Sequence, residues 1–264
     1  MNQKTNGHEP ATARPEVPLD EYGEQYFRRY NYADRPLSRF SMYWFARRYY
    51  AALIRRYAPP GEGALLEMGC GLGHLLGLLQ DEYRCVGIDL AEYSIVETRR
   101  NAPRAQALVQ SADDLSRFAS EEFSVVVALH LLEHLPEPAN TIGQVYRVLR
   151  PGGMFMFATP NPVYALRCLK DPTTDAIGKD PTHINVQPPT RWREWVTAHG
   201  FRILLHFGDG LWDVPYLPRI PTGVQFAIFG FPALVQVLTQ TAFNPLALGV
   251  NQVMIARKPR EAPR

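Results

Sequence analysis

Three carboxylates and a run of glycines stand at intervals suited to a positively charged, ribose-bearing ligand. The run Leu65-Leu66-Glu67-Met68-Gly69-Cys70-Gly71-Leu72-Gly73 carries an apolar stretch into closely spaced glycines. Glycine lets the chain turn sharply and lets a ligand approach the backbone, and the helix that follows opens with N–H groups it cannot satisfy itself. Such a turn alone admits any adenine-containing cofactor. A dinucleotide fingerprint needs a small residue at its last position. Counting from Gly69 puts His74 there, and counting from Gly71 puts Leu76 there. Glu67 would also repel a pyrophosphate, whereas it suits an ammonium group. Asp89, twenty positions after Gly69, can accept from both hydroxyls of a ribose. In Ser111-Ala112-Asp113-Asp114 a carboxylate can accept from an adenine amino group, while one of the two acids suits capping of the segment at Leu115.

Histidines form the second group. His130, Glu133 and His134 follow a β-branched run, and His183 closes Lys179-Asp180-Pro181-Thr182-His183. An imidazole near neutral pKa is a suitable general base for an oxygen acceptor, so His183, His130 and His134 are the catalytic candidates. Each has a plainer reading: His134 a structural hydrogen bond at a turn, His130 a wall of the pocket. Asp180 either orients His183 or caps a turn. The spacing of these residues matches no metal-ligand motif, so no metal is expected.

The elements that must position these groups alternate. Apolar spacing predicts a helix over Arg39–Tyr57, then strands at Ala64–Met68, Cys85–Ile88, Ala105–Val109, Phe123–Leu129 and Met154–Ala158. Between them lie helices at Leu72–Leu79, Ala91–Arg100 and Pro138–Leu149, the last stopped by Pro151-Gly152-Gly153. This alternation predicts a parallel sheet with helices on both faces. Beyond Pro160 the pattern loosens: Asn161–Pro189 reads as loop, Thr190–His199 as a short helix, and Phe201–Phe207 and about Gln252–Ala256 as strands.

With 264 residues, 46% of them apolar, the chain can bury one α/β domain with insertions. The net charge of +2 argues against a nucleic-acid partner. The pairs Arg28-Arg29, Arg47-Arg48 and Arg55-Arg56 lie in helical patterns and read as solvated faces. Cys70, Cys85 and Cys168 are scattered, forming no redox or metal pair, which fits a reducing compartment and a cytoplasmic location. Residues 1–20, polar with three prolines, read as a disordered lead-in without the apolar core of a signal peptide.

Five segments, in order, resemble the class I S-adenosylmethionine-dependent methyltransferases, in particular the small-molecule group that includes the ubiquinone and menaquinone biosynthesis type. They are LLEMGCGLG (65–73), VGIDL (86–90), SADDL (111–115), VVVALHLLEHLPEP (125–138) and VLRPGGMFMFATPNP (148–162). The resemblance implies a Rossmann-like α/β fold: a seven-stranded mixed sheet, last strand antiparallel, helices on both faces, and a cap formed by N-terminal and late insertions. It implies an S-adenosylmethionine-binding core over 61–160, a helical cap over 21–60, and a remainder over 161–264 with acceptor-site insertions at 161–190 and 208–250. The implied cofactor contacts are Glu67, Gly69, Cys70, Gly71 and Gly73 for the methionine part, Asp89 and Leu90 for the ribose, and Ala112 and Asp113 for the adenine. Leu129 and His130 border the methyl group. Ser124 departs from the pattern, which usually has an acid there. The function implied is methyl transfer to an oxygen or carbon of a small, hydrophobic acceptor. Aligning the nucleophile with an already activated methyl group needs no metal and no covalent intermediate. The rival readings are a methyltransferase-like binding or assembly module and a nicotinamide-dependent oxidoreductase.

From Ile220 to Ala256 no residue is charged and none is histidine. Gln225, Pro232, Gln236, Gln240, Asn244 and Pro245 interrupt the apolar run, so no transmembrane span is expected. The stretch is either an insertion packed on the core or on another subunit, or an apolar surface that meets a lipid-like acceptor or a membrane. The sequence leaves the oligomeric state open.

Overall fold

The computed structural model describes residues 40–59 and 63–260. The expected lead-in at 1–20 and the first half of the expected helical cap lie outside the described residues. Within them, helix α1 (Met42–Tyr57) begins at Ser41, whose hydroxyl accepts from the Trp44 N–H at 3.2 Å. The alternation then runs β1 (Ala64–Met68), α2 (His74–Leu79), β2 (Arg84–Asp89), α3 (Glu92–Asn101), β3 (Gln106–Val109), β4 (Phe123–Leu129), α4 (Pro138–Val148) and β5 (Leu149–Pro160). After these come α5 (Pro189–Ala198), β6 (Arg202–Gly208), α6 (Thr222–Phe229), α7 (Phe231–Thr239) and β7 (Asn251–Arg257).

The seven strands lie in the order β3-β2-β1-β4-β5-β7-β6. β1 to β5 are parallel, and β7 runs antiparallel to both β5 and β6. The strand order reverses between β1 and β4, and in open sheets of this kind ligands bind outside the carboxyl ends of the strands at such a point.

Strand period sorts the apolar residues onto two faces. From β1 and β4, Leu66, Met68, Val126 and Ala128 point to one face, where they pack with Ile142 and Val145 of α4 and Trp192 and Val196 of α5. Leu65, Val125, Val127 and Leu129 point to the other, against Leu53 and Ile54 of α1, Leu75 and Leu79 of α2, and Ile95 of α3. Each face is thereby dry, as a mostly parallel sheet requires.

One expectation is corrected. α4 ends at Val148, ahead of the Pro151-Gly152-Gly153 run, and β5 begins at Leu149 and passes straight through that run. Lys258 secures the passage, accepting from Gly152 N–H at 2.8 Å and donating its own N–H to Gly153 at 2.9 Å. The charge-free stretch divides between the two readings: its end, β7, is buried in the core, while the part before it presents apolar side chains outward. That part folds into α6 and α7, which bury Gln225 and Gln236 while Ile228, Phe231 and Leu238 are 60%, 60% and 63% exposed.

The two late insertions meet in a small core of their own, built on Tyr164, Ile177, Leu211, Tyr216 and Val250. Lys170 ties them, donating to the Asp213 carbonyl at 2.7 Å and pairing with its carboxylate at 3.2 Å. No single described helix is long and apolar enough to cross a membrane; α6 and α7 meet the length and composition test only as a pair bent by 51°.

Candidate cofactor and acceptor site

β1 delivers Glu67 to the carboxyl edge of the sheet, and the chain then turns through Gly69, Gly71 and Gly73, all at positive φ. Gly73 makes the clearest demand for glycine. At φ +73° a Cβ would lie 2.8 Å from the Thr98 Cα, so α3 approaches closely only because nothing is there. Backbone bonds fix the turn, with Cys70 N–H donating to Ile88 O at 3.0 Å and Gly73 N–H to Cys70 O at 2.9 Å.

Asp89, at the end of β2, is wired into the same turn. Its Oδ2 accepts from Gly71 N–H at 2.9 Å and its Oδ1 from Ala91 N–H at 3.0 Å. Burial raises its pKa, opposed by these bonds and by Ser94 and Leu90. Glu67 is 3% exposed and its Oε2 has no hydrogen-bond partner. Burial pushes its pKa up to about 8, opposed by Arg47 and by the Leu76 N–H in the first turn of α2. Beyond β3, Asp113 is also held above its usual range by burial, and its Oδ1 is buried without a partner. Asp114 takes the capping role, accepting from Ser116 N–H at 2.8 Å in a turn rather than at a helix start. Ala112 and Leu129 are buried and Leu90 is exposed at the edge.

Three desolvated carboxyl groups thus converge on one edge of the sheet. A ligand carrying positive charge and hydrogen-bond donors relieves them, whereas a pyrophosphate adds charge of the wrong sign. The residues present therefore fit S-adenosylmethionine, with its ammonium, sulfonium, ribose hydroxyls and adenine amino group.

Several supporting residues carry no sequence signal of their own. Thr98 donates to Gly71 O at 2.9 Å and Asn101 to Leu72 O at 2.8 Å. They sit three apart on one face of α3, a spacing that becomes informative only once that helix is laid against the turn. Arg47 corrects the reading of its pair as a solvated face: it is half-buried and acts on Glu67. Arg48 is exposed, over the Trp44 ring at 4.3 Å.

Past the fourth strand, β4 ends at Leu129 and His130 takes a left-handed conformation, φ 54°. The short 3-10 turn Leu132–His134 follows. The structure brings His134 and His183 together, their ring centroids 4.9 Å apart. Glu133 lies beside them, fully buried, and His130 Nδ1 stands 3.6 Å from its Oε1. Burial raises the Glu133 pKa, but His130 and His134 outweigh it and the net direction is down. The His134 pKa falls, chiefly through burial, with Glu133 opposing. Asp180 caps a turn, accepting from Thr182 N–H at 2.9 Å and from the Thr182 hydroxyl, while its Oδ2 is 3.9 Å from His183 Nε2.

A mixed seven-stranded sheet with acidic residues closing its first strands is the architecture of the class I S-adenosylmethionine-dependent methyltransferases. The family model described as "Methyltransferase domain" matches residues 43–206, and the chain belongs to that family. S-adenosylmethionine is the cofactor of this class. The chain is 31% identical over 116 residues to the ubiquinone biosynthesis O-methyltransferase of Hydrogenovibrio crunogenus, an overlap of 42% of this chain and 48% of that one. It is 33% identical over 109 residues to the enzyme of the same name from Thiobacillus denitrificans, covering 39% and 47%. The chain therefore spans about half the length of these curated relatives. Among solved structures, an S-adenosylmethionine-dependent methyltransferase from Archaeoglobus fulgidus shares the fold with a TM-score of 0.55 at 21% identity, covering 80% of this chain and 94% of that one. Another from Thermotoga maritima gives a TM-score of 0.60 at 16% identity, covering 90% and 99%.

Proposed function

We propose that this chain transfers the methyl group of S-adenosylmethionine to a hydroxyl oxygen of a small, apolar acceptor. The observation that carries the reading is the set of three desolvated carboxyl groups, Glu67, Asp89 and Asp113, around a turn that exposes backbone to the ligand. In this reading Glu67 and the Gly69-Cys70-Gly71-Leu72-Gly73 turn hold the methionine part. Asp89 and Leu90 hold the ribose, Ala112 and Asp113 the adenine, and Leu129 closes the pocket. Bound there, the cofactor supplies an electrophilic methyl carbon, and the protein's task is alignment and exclusion of water.

His130, His134, His183 and Glu133 form the acceptor side and assist loss of the acceptor's proton. Oxygen is favoured by the likeness to the two ubiquinone biosynthesis O-methyltransferases and by the gathering of imidazoles past β4. The apolar outer faces of α6 and α7 support an acceptor, or a surface bearing it, that is lipid-like. The insertions at 161–190 and 208–250 act as the cap over the acceptor, and the unit works without a nucleic-acid partner.

Calorimetry with S-adenosylmethionine and NAD tests the cofactor, and formation of S-adenosylhomocysteine with phenolic acceptors tests turnover. Binding of NAD in preference to S-adenosylmethionine would overturn the reading. Cofactor binding without turnover on any hydroxylated acceptor would favour a non-catalytic module.

A further inference from the structure

The carboxyl edge of the sheet carries a further acid, on the opposite side of the switch point from Glu67, Asp89 and Asp113. β6 is antiparallel to β7 and β7 to β5, so β6 runs with the parallel strands and ends on the same edge. Asp209 follows its last residue, Gly208. In the methyltransferase reading the ends of β1, β2 and β3 serve the cofactor, which leaves those of β4, β5 and β6 for the molecule that takes the methyl group. His130 stands just past β4 and Asp209 just past β6.

Asp209 is held as an acceptor. Its Oδ1 takes the Asn251 N–H at 2.8 Å, and its Oδ2 takes the Asn251 side-chain amide and the Trp212 indole N–H, each at 2.7 Å. An ionised carboxylate offers about four lone-pair sites, so one on Oδ1 remains beyond these three bonds. All three donors are neutral, and no lysine or arginine among the described residues pairs with this group. Burial pushes its pKa up to about 6, opposed by the Asn251 and Trp212 donors and by His130. The residue is half-buried, as is Trp212.

Aromatic groups surround it. Burial raises the pKa of Tyr49 in α1 and of Tyr216 in the late insertion, and the Asp209 charge adds to both. At Gly210 a Cβ would stand 2.2 Å from that of Ala233, so the glycine lets α7 close against the residue beside Asp209. A carboxylate without a cationic partner, set among rings whose faces attract cations, suits a positive charge that arrives with a ligand.

We propose that Asp209 pairs with a protonated amine carried by the acceptor away from the hydroxyl that is methylated, and so selects hydroxylated amines among otherwise apolar acceptors of similar size.

This rests on the methyltransferase reading: the reacting hydroxyl lies toward Leu129 and His130, and Asp209 holds the other end of the molecule. A clamp that served only Asn251 and Trp212 would not discriminate between ligands by charge. Asparagine at this position keeps the shape and an oxygen for the Asn251 N–H but has no charge to offer the amine.

The test loads the full chain with S-adenosylhomocysteine and titrates it by calorimetry with tyramine and with 4-propylphenol, which match in shape and differ in ending on an ammonium or a methyl group. Near neutral pH we expect wild type to favour tyramine by about 10–150-fold, the worth of a hydrogen bond to a charged group. Asp209→Asn should lose that preference, with unchanged affinity for S-adenosylhomocysteine as its folding control. On acidification through about pH 6 the wild-type preference should shrink toward that of the variant, as Asp209 takes up a proton. His130 is common to both proteins, so the difference between them isolates Asp209. Equal affinity of wild type for the two phenols, or binding of neither, overturns the inference without recourse to a variant, and S-adenosylhomocysteine binding then leaves the methyltransferase reading standing. A tyramine preference that survives in folded Asp209→Asn also overturns it. A chain that prefers tyramine as expected but does not bind S-adenosylhomocysteine supports the Asp209 site and overturns the methyltransferase reading instead.

Discussion

Replacing Glu67 with glutamine separates what the buried carboxyl costs the fold from what it does for the ligand. Burial displaces its pKa from the ordinary 4.5 to about 8. At 1.36 kcal/mol per pH unit the displacement is worth about 5 kcal/mol at most. Because the folded pKa lies above the unfolded one, the native state holds a proton that the unfolded chain releases between the two values. The stability linked to this group is therefore fully present below about pH 4.5, is lost as pH rises, and levels off above about pH 8. Glutamine fills the same space and has no such dependence. Urea unfolding of the ligand-free protein should give E67Q and wild type nearly equal stability at pH 4.5. At pH 8.5 the variant should be more stable by several kcal/mol, while its affinity for S-adenosylmethionine is about 10–150-fold lower for want of a charged partner for the ammonium. Differencing the two proteins cancels every other titrating group. A stability difference that is flat across this range, or of the opposite sign, would refute the argument from desolvation.

The same displacement predicts that wild-type affinity for S-adenosylmethionine strengthens from pH 6 toward pH 8, by up to about tenfold per unit, as pairing with the ammonium expels the Glu67 proton; calorimetry in buffers of different ionisation enthalpy reads that proton directly. Asp89→Ala removes an acceptor from Gly71 and Ala91 N–H as well as from the ribose, so it should lower both cofactor affinity and thermal stability, the latter by about 2–4 kcal/mol; an unchanged melting temperature would show that the turn holds without it. Gly73→Ala meets both a left-handed backbone and the Thr98 Cα at 2.8 Å, and should cost about 2–4 kcal/mol in chemical denaturation. Replacing Ile228, Phe231 and Leu238 together with serine should abolish sedimentation with anionic liposomes and leave S-adenosylmethionine binding intact; wild-type protein that stays in the supernatant would dispose of the membrane contact.

Much of the first half of the sheet was legible because its residues speak locally. Alternating strands and helices, a glycine run after Leu65-Leu66-Glu67 and an acid at Asp89 depend on contacts within one β-α unit. The seven-stranded sheet with an antiparallel last strand, the methyltransferase class and its cofactor all stand as expected. What the sequence hid depends on long-range placement. Arg47 looks like its exposed neighbour Arg48 until α1 is laid over the sheet and points one of the pair toward Glu67. Glu133 and His183 are fifty residues apart, and no spacing rule links them. The helices α6 and α7 were masked because burial of Gln225 and Gln236 inverts the usual polarity of a helix. Gln225 accepts from Tyr216 and Leu217 N–H and donates to Leu217 and Ile220 O, which makes its inward position stable.

Placing β7 between β5 and β6 has a consequence for the order in which the molecule can assemble. Among the described residues β6 pairs with no other strand, so there it joins the sheet through Asn251–Arg257. The five parallel strands and the cofactor edge can condense from residues 40–160 alone. The segment from β6 through α7 has to wait for the last strand to slot in antiparallel, a pairing of high sequence separation against β5. During synthesis, then, the half that carries Glu67, Asp89 and Asp113 is complete while the segment from β6 onward is still unanchored, and the apolar helices α6 and α7 are the part left exposed in the interval.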